Sequence, residues 1–179
     1  MPVANSSGSA AFPNNTGTFL FNTPTNAKSA YAEGLEAAIQ HTFTWLPAPF
    51  DGLGFNANAT FMHSNAVMDA ANTTQTFALT GLGNSQNFIA FYEKGPVGLR
   101  VAYNHRDTFL ASTAPVVHTK AYGQLDAQAS YKVTNNMLVV LEGSNLTDAV
   151  KQQYDRYGNE FDDFENYGRR YAIGVRVDF

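Results

Sequence analysis

Residues 167–179 alternate between apolar and polar side chains and stop on an aromatic. Side chains in an extended strand switch faces at every residue, so Tyr171, Ile173, Val175, Val177 and Phe179 share one face. Gly168, Arg170, Ala172, Gly174, Arg176 and Asp178 share the other. Strands of soluble sandwiches average about half this length. A long strand that is greasy on one face and carries arginines on the other fits a closed membrane barrel, with lipid outside and water inside.

Composition narrows the choice further. Charged residues make up 15% of the 179-residue chain, against roughly 25% in soluble domains. Aromatics reach 13%. No run approaches the roughly 18 consecutive apolar residues of a spanning helix, so a membrane crossing must use strands. Absence of cysteine removes disulfide frameworks and thiolate metal sites, and is compatible with an oxidising periplasm. A net charge of −4 with no basic cluster gives no electrostatic footprint for nucleic acid.

From residue 31 onward the chain divides into stretches of about a dozen residues, the length of a tilted spanning strand with its rim. Residues 31–45 set Leu35, Ala37, Ile39, Phe43 and Trp45 against Glu36, Gln40, Thr42 and Thr44. Residues 53–64 set Leu53, Phe55, Ala57, Ala59 and Phe61 against Gly54, Asn56, Asn58, Thr60 and Ser64. The period of two is plain in both. Residues 85–93 are apolar on both faces, which leaves their sides unassigned. Residues 97–109 oppose Val97, Leu99, Val101, Tyr103 and Phe109 to Gly98, Arg100, Ala102, Asn104, Arg106 and Thr108. In 121–133, Leu125, Ala127, Ala129, Tyr131 and Val133 oppose Gln124, Asp126, Gln128, Ser130 and Lys132. In 137–145, Val139 and Leu141 oppose Glu142. An additional strand is expected at 17–22, before a turn signal at Pro24 and Asn26.

The connections alternate in length. Residues 46–52, 94–96 and 134–136 are short, whereas 65–84, 110–120 and 146–166 are long and polar. Short turns on one rim and long loops on the other describe an outer-membrane barrel, with the C-terminus on the short-turn side. Aromatics cluster near both rims: Trp45, Phe50, Phe55, Tyr92, Tyr131 and Phe179 near one, and Phe61, Tyr103, Phe109, Tyr122 and Tyr171 near the other. Interfacial rings prefer this level of a bilayer.

Several short motifs occur in order: Gly34-Leu35-Glu36, Tyr92-Glu93, residues 100–106 (Arg-Val-Ala-Tyr-Asn-His-Arg), Asn145-Leu146-Thr147-Asp148, and Gly168-Arg169-Arg170-Tyr171 leading to Phe179. Taken together over 19–179, they resemble the C-terminal part of a TonB-dependent receptor. The resemblance implies an all-β antiparallel fold, with about seven or eight strands of a 22-stranded barrel in a Gram-negative outer membrane. It implies uptake of a ferric siderophore, cobalamin or glycan, with no catalysis and no cofactor. Partners so implied are outer-membrane lipid, the small-molecule substrate and the barrel-assembly machinery, which reads a C-terminal signal matched here by Phe179 and Tyr171. TonB itself would act through a plug domain, and no plug and no TonB box is recognised in these residues. Residues 1–11 lack the basic and apolar regions of a secretory signal. The expected organisation is therefore a polar Asn/Ser-rich segment at 1–16 and a barrel portion at 17–179, both within a longer product. An alternative is a small autonomous barrel of about eight strands, using 17–22, that serves as anchor or adhesin; a barrel-borne lipid-modifying enzyme is a third.

Candidate chemistry is sparse. His41, His63, His105 and His118 show no metal-ligand spacing, and no Ser, His and acid set is legible. The stretch 155–165 mixes Asp155, Glu160, Asp162, Asp163 and Glu165 with Tyr157, Phe161 and Phe164. Its carboxylates suit calcium and its rings suit stacking on a sugar or siderophore, so Asp155, Tyr157, Phe161, Asp162, Asp163 and Phe164 form a candidate substrate-contact loop. Glu36, Arg100, Arg106, Asp126, Arg170 and Arg176, with Glu142, share the parity expected of a lumen. A charge facing lipid near the midplane would cost about 2–4 kcal/mol.

Overall fold

The computed structural model describes residues 8–12 and 15–21 by their strand pairing and residues 29–178 in full. Phe179, half of the expected assembly signal, lies outside the described residues. Strands β1 (Gly8–Phe12) and β2 (Asn15–Phe21) pair antiparallel in a sheet of their own, within the first of two compact units, Met1–Ala30.

The second unit, Tyr31–Phe179, is built on β3 (Ala32–Thr42), β4 (Leu53–Ser64), β5 (Ser85–Lys94), β6 (Val97–Arg106), β9 (Tyr122–Thr134), β10 (Met137–Ser144) and β13 (Arg170–Val177). Between them lie four short strands, β7 (Phe109–Thr113), β8 (Val116–Thr119), β11 (Lys151–Tyr154) and β12 (Phe161–Glu165). The seven long strands form one antiparallel meander in the order β13-β10-β9-β6-β5-β4-β3. Each neighbour follows the last in sequence once the short strands are set aside, as in an up-and-down wall. The sheet is open: among the described residues β3 and β13 each have a single neighbour. The strand expected at 17–22 is present as β2, Asn15–Phe21, paired with β1.

Register carries the faces across all seven strands. One row runs Ile39, Ala57, Phe88, Tyr103, Leu125; another runs Tyr92, Leu99, Ala129, Leu141, Ile173. These belong to one continuous apolar face, and it is bare: Leu35 is 66% exposed and Ile173 72%. The opposite face carries Glu36, Thr60, Ser85, Arg106 and Tyr122 in one row, and Arg100, Gln128 and Glu142 in another.

The unassigned strand β5 is resolved by the same register. Phe88, Ala90 and Tyr92 stand on the apolar face, Ile89 and Phe91 on the polar one. Phe91 faces Gly54, where an added Cβ would strike its ring. The ring fills space that glycine leaves open, which accounts for an apolar residue on a wet face.

Short turns follow local chemistry. Gly95 and Pro96 close β5–β6 between Lys94 and Val97, with Gly95 at φ 58. Glycine at the first central position and a proline-fixed second one suit a type II′ hairpin. β9 and β10 join through Asn135 and Asn136 with an irregularity at Met137/Leu138.

Four sequence expectations need correction. The strand predicted at 31–45 ends at Thr42; Phe43 keeps one last backbone bond to β4, its N–H donating to Leu53 O (2.8 Å), and Trp45 lies in the turn. Both join an aromatic cluster, His41–Phe43 at 4.9 Å and Phe43–Phe55 at 5.9 Å, with Trp45 edge-on to Phe43. The strand predicted to reach Phe109 ends at Arg106; Phe109 opens β7 and lies under the Arg106 guanidinium, 3.8 Å from the ring centre. Tyr122, expected in a girdle, pairs with Arg106 on the polar face. Finally, the long stretches read as loops contain β7, β8, β11 and β12.

Candidate functional site

The four short strands form a second sheet, β12-β11-β8-β7, at the long-loop rim. It unites two connections that are far apart in sequence. Gln153 pairs with Thr119 and Tyr154 with His118, and Lys120 N–H donates to the Gln152 carbonyl (2.9 Å). His118 stacks on Tyr154, with ring centres 4.9 Å apart and planes at 8°. The third connection, 65–84, joins through a small core. Met68 and Ala78 from this segment are buried with Leu110 and Val116 from β7 and β8. Arg156 then donates to the carbonyls of Asp69 (3.3 Å) and Asn72 (3.0 Å). Three polar loops thus fold as one cap, held by only four buried apolar side chains among the described residues.

Asn145 anchors the cap to the wall. It takes φ 54, a left-handed value that asparagine tolerates better than most residues. Its side chain accepts from Ala149 N–H (2.7 Å) and donates to the carbonyls of Ala149 (3.1 Å) and Gly168 (3.2 Å). Its own N–H donates to the Asp126 carboxylate (2.8 Å), which also accepts from Gln124 (2.9 Å). At 4% exposure the amide has no water to replace these partners. The Asn145-Leu146-Thr147-Asp148 motif is therefore a knot that ties β10, the loop and the approach to β13, with Asp148 also at positive φ (55).

The candidate contact loop is the β11–β12 hairpin. Asp155 N–H donates to Glu160 O (3.0 Å) and the Asp155 carbonyl faces His118 Nδ1 (3.2 Å), so Asp155 shapes the turn. Phe161 pairs with Tyr154 and Phe164 with Gln152, leaving two residues, Asp162 and Asp163, opposite Gln153. Residues three apart normally face opposite sides of a strand; the extra residue of the bulge brings both rings to one side, 6.0 Å apart. Phe161, Phe164 and Tyr157 are exposed. The carboxylates do not converge: among the described residues no three His, Cys, Asp or Glu side chains gather as a metal site. Lower on the hairpin, Glu165 accepts from Tyr167 (2.6 Å) and from Lys151 (3.0 Å). These two donors hold its carboxyl below the ordinary range, and the same contact raises Lys151.

The charges singled out by parity all fall on the polar face. Arg106 pairs across from Ser85 and Tyr122, Arg100 from Phe91 and Gln128, and Asp126 from Ala102. Arg170 lies opposite Ser144, Arg176 opposite Leu138, and Glu36 opposite Thr60. Tyr171 stands on the apolar face opposite Gly143. Single-strand parity missed a row of amides between these charges: Asn58, Asn87, Asn104 and Gln124 align across four strands. Asn87 donates to Asn58 (2.7 Å). Each amide was visible on its strand; their alignment needed the register.

A family model described as TonB dependent receptor-like, beta-barrel, matches residues 3–146. That span takes in six of the seven wall strands and stops short of β13. No curated protein and no solved structure matches the chain.

Proposed function

The chain belongs to the TonB-dependent receptor β-barrel family, and we propose that it forms wall and loops of an outer-membrane receptor that takes up a small molecule. The family is one of receptors and transporters of the Gram-negative outer membrane. On this reading residues 17–179 are barrel, 1–16 are a polar lead-in, the apolar face meets lipid and the polar face lines the lumen. The cap stands outside the cell, where Tyr157, Phe161 and Phe164 touch substrate. TonB acts on the receptor through a plug, and Tyr171 with Phe179 serves barrel assembly.

The observation that carries the reading is the bare apolar face. A soluble chain of this size buries its strand side chains in a core, whereas here the only buried apolar cluster among the described residues sits in the cap. Leu, Ile, Val and Phe spread over seven strands need an apolar solvent. Immunoblotting outer membranes for the polypeptide that carries this tail, with and without boiling, tests it. A heat-modifiable band in the outer-membrane fraction is expected, and one several times larger than this chain identifies a full receptor. Recovery in the soluble fraction as a monodisperse monomer would overturn the membrane reading.

A further inference from the structure

Granting the receptor reading above, we propose that the turn between β3 and β4 is a membrane foot. It folds out over the lipid side of the wall and rests among the phospholipid headgroups of the inner leaflet, while the other two short turns stay in periplasmic water. The turn is fastened by residues that register places on the apolar face. Tyr92, opposite Leu53 and Leu99, donates its hydroxyl to the Pro49 carbonyl (3.0 Å). Lys94, opposite Val97 and of the same parity, pairs with the Asp51 carboxylate. Between these ties Gly52 lies so close to β5 that an added Cβ would strike the Glu93 carbonyl. Both ties draw the turn to the apolar side of the sheet.

The rings follow the same side. Phe88, Phe55 and Phe43 form a run of aromatic contacts on the apolar face, with Phe55 and Phe88 stacked at 6.3 Å, and Trp45 carries the run into the turn by its contact with Phe43 (6.1 Å). Trp45 is 71% exposed and Phe50 56%, so the turn presents these rings outward and does not bury them in a core of its own. Rings that carry a polar atom at one end, as Trp45 and Tyr92 do, settle at the headgroup level. The turns at 94–96 and 134–136 contain no aromatic residue. Lys94 can lay its stem along the apolar face while its ammonium meets Asp51, which leaves this corner of the foot neutral. The grip therefore comes from the rings and needs no anionic lipid.

The test reconstitutes the outer-membrane polypeptide that carries this chain in phosphatidylcholine vesicles whose acyl chains bear bromine either near the headgroup or near the chain end. The Trp45 share of the emission is the difference between wild type and Trp45→Phe, with a heat shift on gels keeping each variant's fold in view. Loss of most of that emission to the shallow bromines is expected, with less loss to the deep ones, little to iodide on both sides of the bilayer, and no change on adding salt. Ala48→Cys and Asn135→Cys, each the sole cysteine and labelled with a polarity-sensitive dye, make the comparison without touching Trp45. The dye at Ala48 should report lipid and the dye at Asn135 water. Trp45 emission quenched by iodide and untouched by bromine would overturn the proposal and leave the turn free for a periplasmic protein. Dyes that respond alike at the two turns would overturn it as well. Neither result touches the receptor reading, which falls only if the polypeptide is absent from the outer membrane, as the immunoblot reports separately.

Discussion

The wall and the cap of this protein are stabilised in opposite ways. The wall has seven long strands laddered to their neighbours and, among the described residues, no buried apolar side chain, with β3 and β13 exposed along their whole length. The cap has four short strands and polar loops, yet it encloses Met68, Ala78, Leu110 and Val116, and buries Thr119 completely. Wall stability therefore depends on the solvent that its apolar face meets, and cap stability on a few specific contacts. A substitution in the wall should be judged by the face it lands on, and one in the cap by the partner it loses.

The largest expected effect breaks the two faces of the wall apart. Leu141 sits mid-strand on the apolar face between Ala129 and Ile173; Val140, one residue earlier, sits on the polar face between Ser130 and Gly174. Leu141→Arg should cost about 2–4 kcal/mol in urea unfolding from lipid vesicles, and Val140→Arg about 0.5 kcal/mol or less. Equal costs would mean that the two faces do not meet different solvents.

Next in size is the knot between wall and cap. Asn145→Ala strands the Ala149 N–H and the Gly168 carbonyl and places a Cβ residue without a compensating amide at positive φ. A loss of about 1–3 kcal/mol is expected, read as faster amide exchange through 146–169. Asn145→Gly relieves the backbone but not the hydrogen bonds, so it should recover only part. If exchange in β9 and β6 rises as much as in the cap, the two regions are one cooperative unit and the contrast drawn above fails.

This contrast also explains what the sequence reveals. The wall was legible because a period of two repeats over each strand; β4 spans the predicted 53–64, and the other strand ends shift by only a few residues. The side of β5 was illegible because Phe91 answers Gly54 on the next strand, a pairing that no single strand contains. The cap strands were missed for a related reason. β8 and β11 are four residues each, too short for a period, and they exist because Thr119 and His118 meet Gln153 and Tyr154. Arg156 likewise carries no signal in its own segment, because its partners, the carbonyls of Asp69 and Asn72, lie more than 80 residues away. Of the candidate contact residues, the exposed rings of 157–164 were readable, but the bulge that turns Phe161 and Phe164 to one side was not.

A smaller effect probes whether the cap's loops act together. Arg156→Ala removes two charge-assisted bonds at a partly exposed site, for a cost of about 1 kcal/mol. It should raise amide exchange at Asn72 and Gln75, far along the chain from the mutation, and leave the wall unchanged. Exchange confined to 155–160 would show the three loops to be independent.

The smallest expected effect is acidic loosening of the β11–β12 hairpin. Glu165 is held below its ordinary pKa by Tyr167 and Lys151, so its contribution is complete above the unfolded carboxylate value and is lost as pH falls through the lower, folded one. Lys151 and Tyr167 are both raised by Glu165; their share is complete below their unfolded values and is lost as pH rises through the folded ones. The cluster is thus intact from roughly pH 5 to pH 10. Glu165 and Tyr167 are solvent-facing, so the change should be local: faster exchange at Lys151 and Glu165 below about pH 4, with the wall strands unmoved. Glu165→Gln should flatten that acid dependence without altering exchange at neutral pH in β9 or β10. Were the wall to loosen over the same acid range in the wild-type protein but not in Glu165→Gln, the hairpin carboxylate would be coupled to the sheet, and the separation of cap from wall would have to be given up.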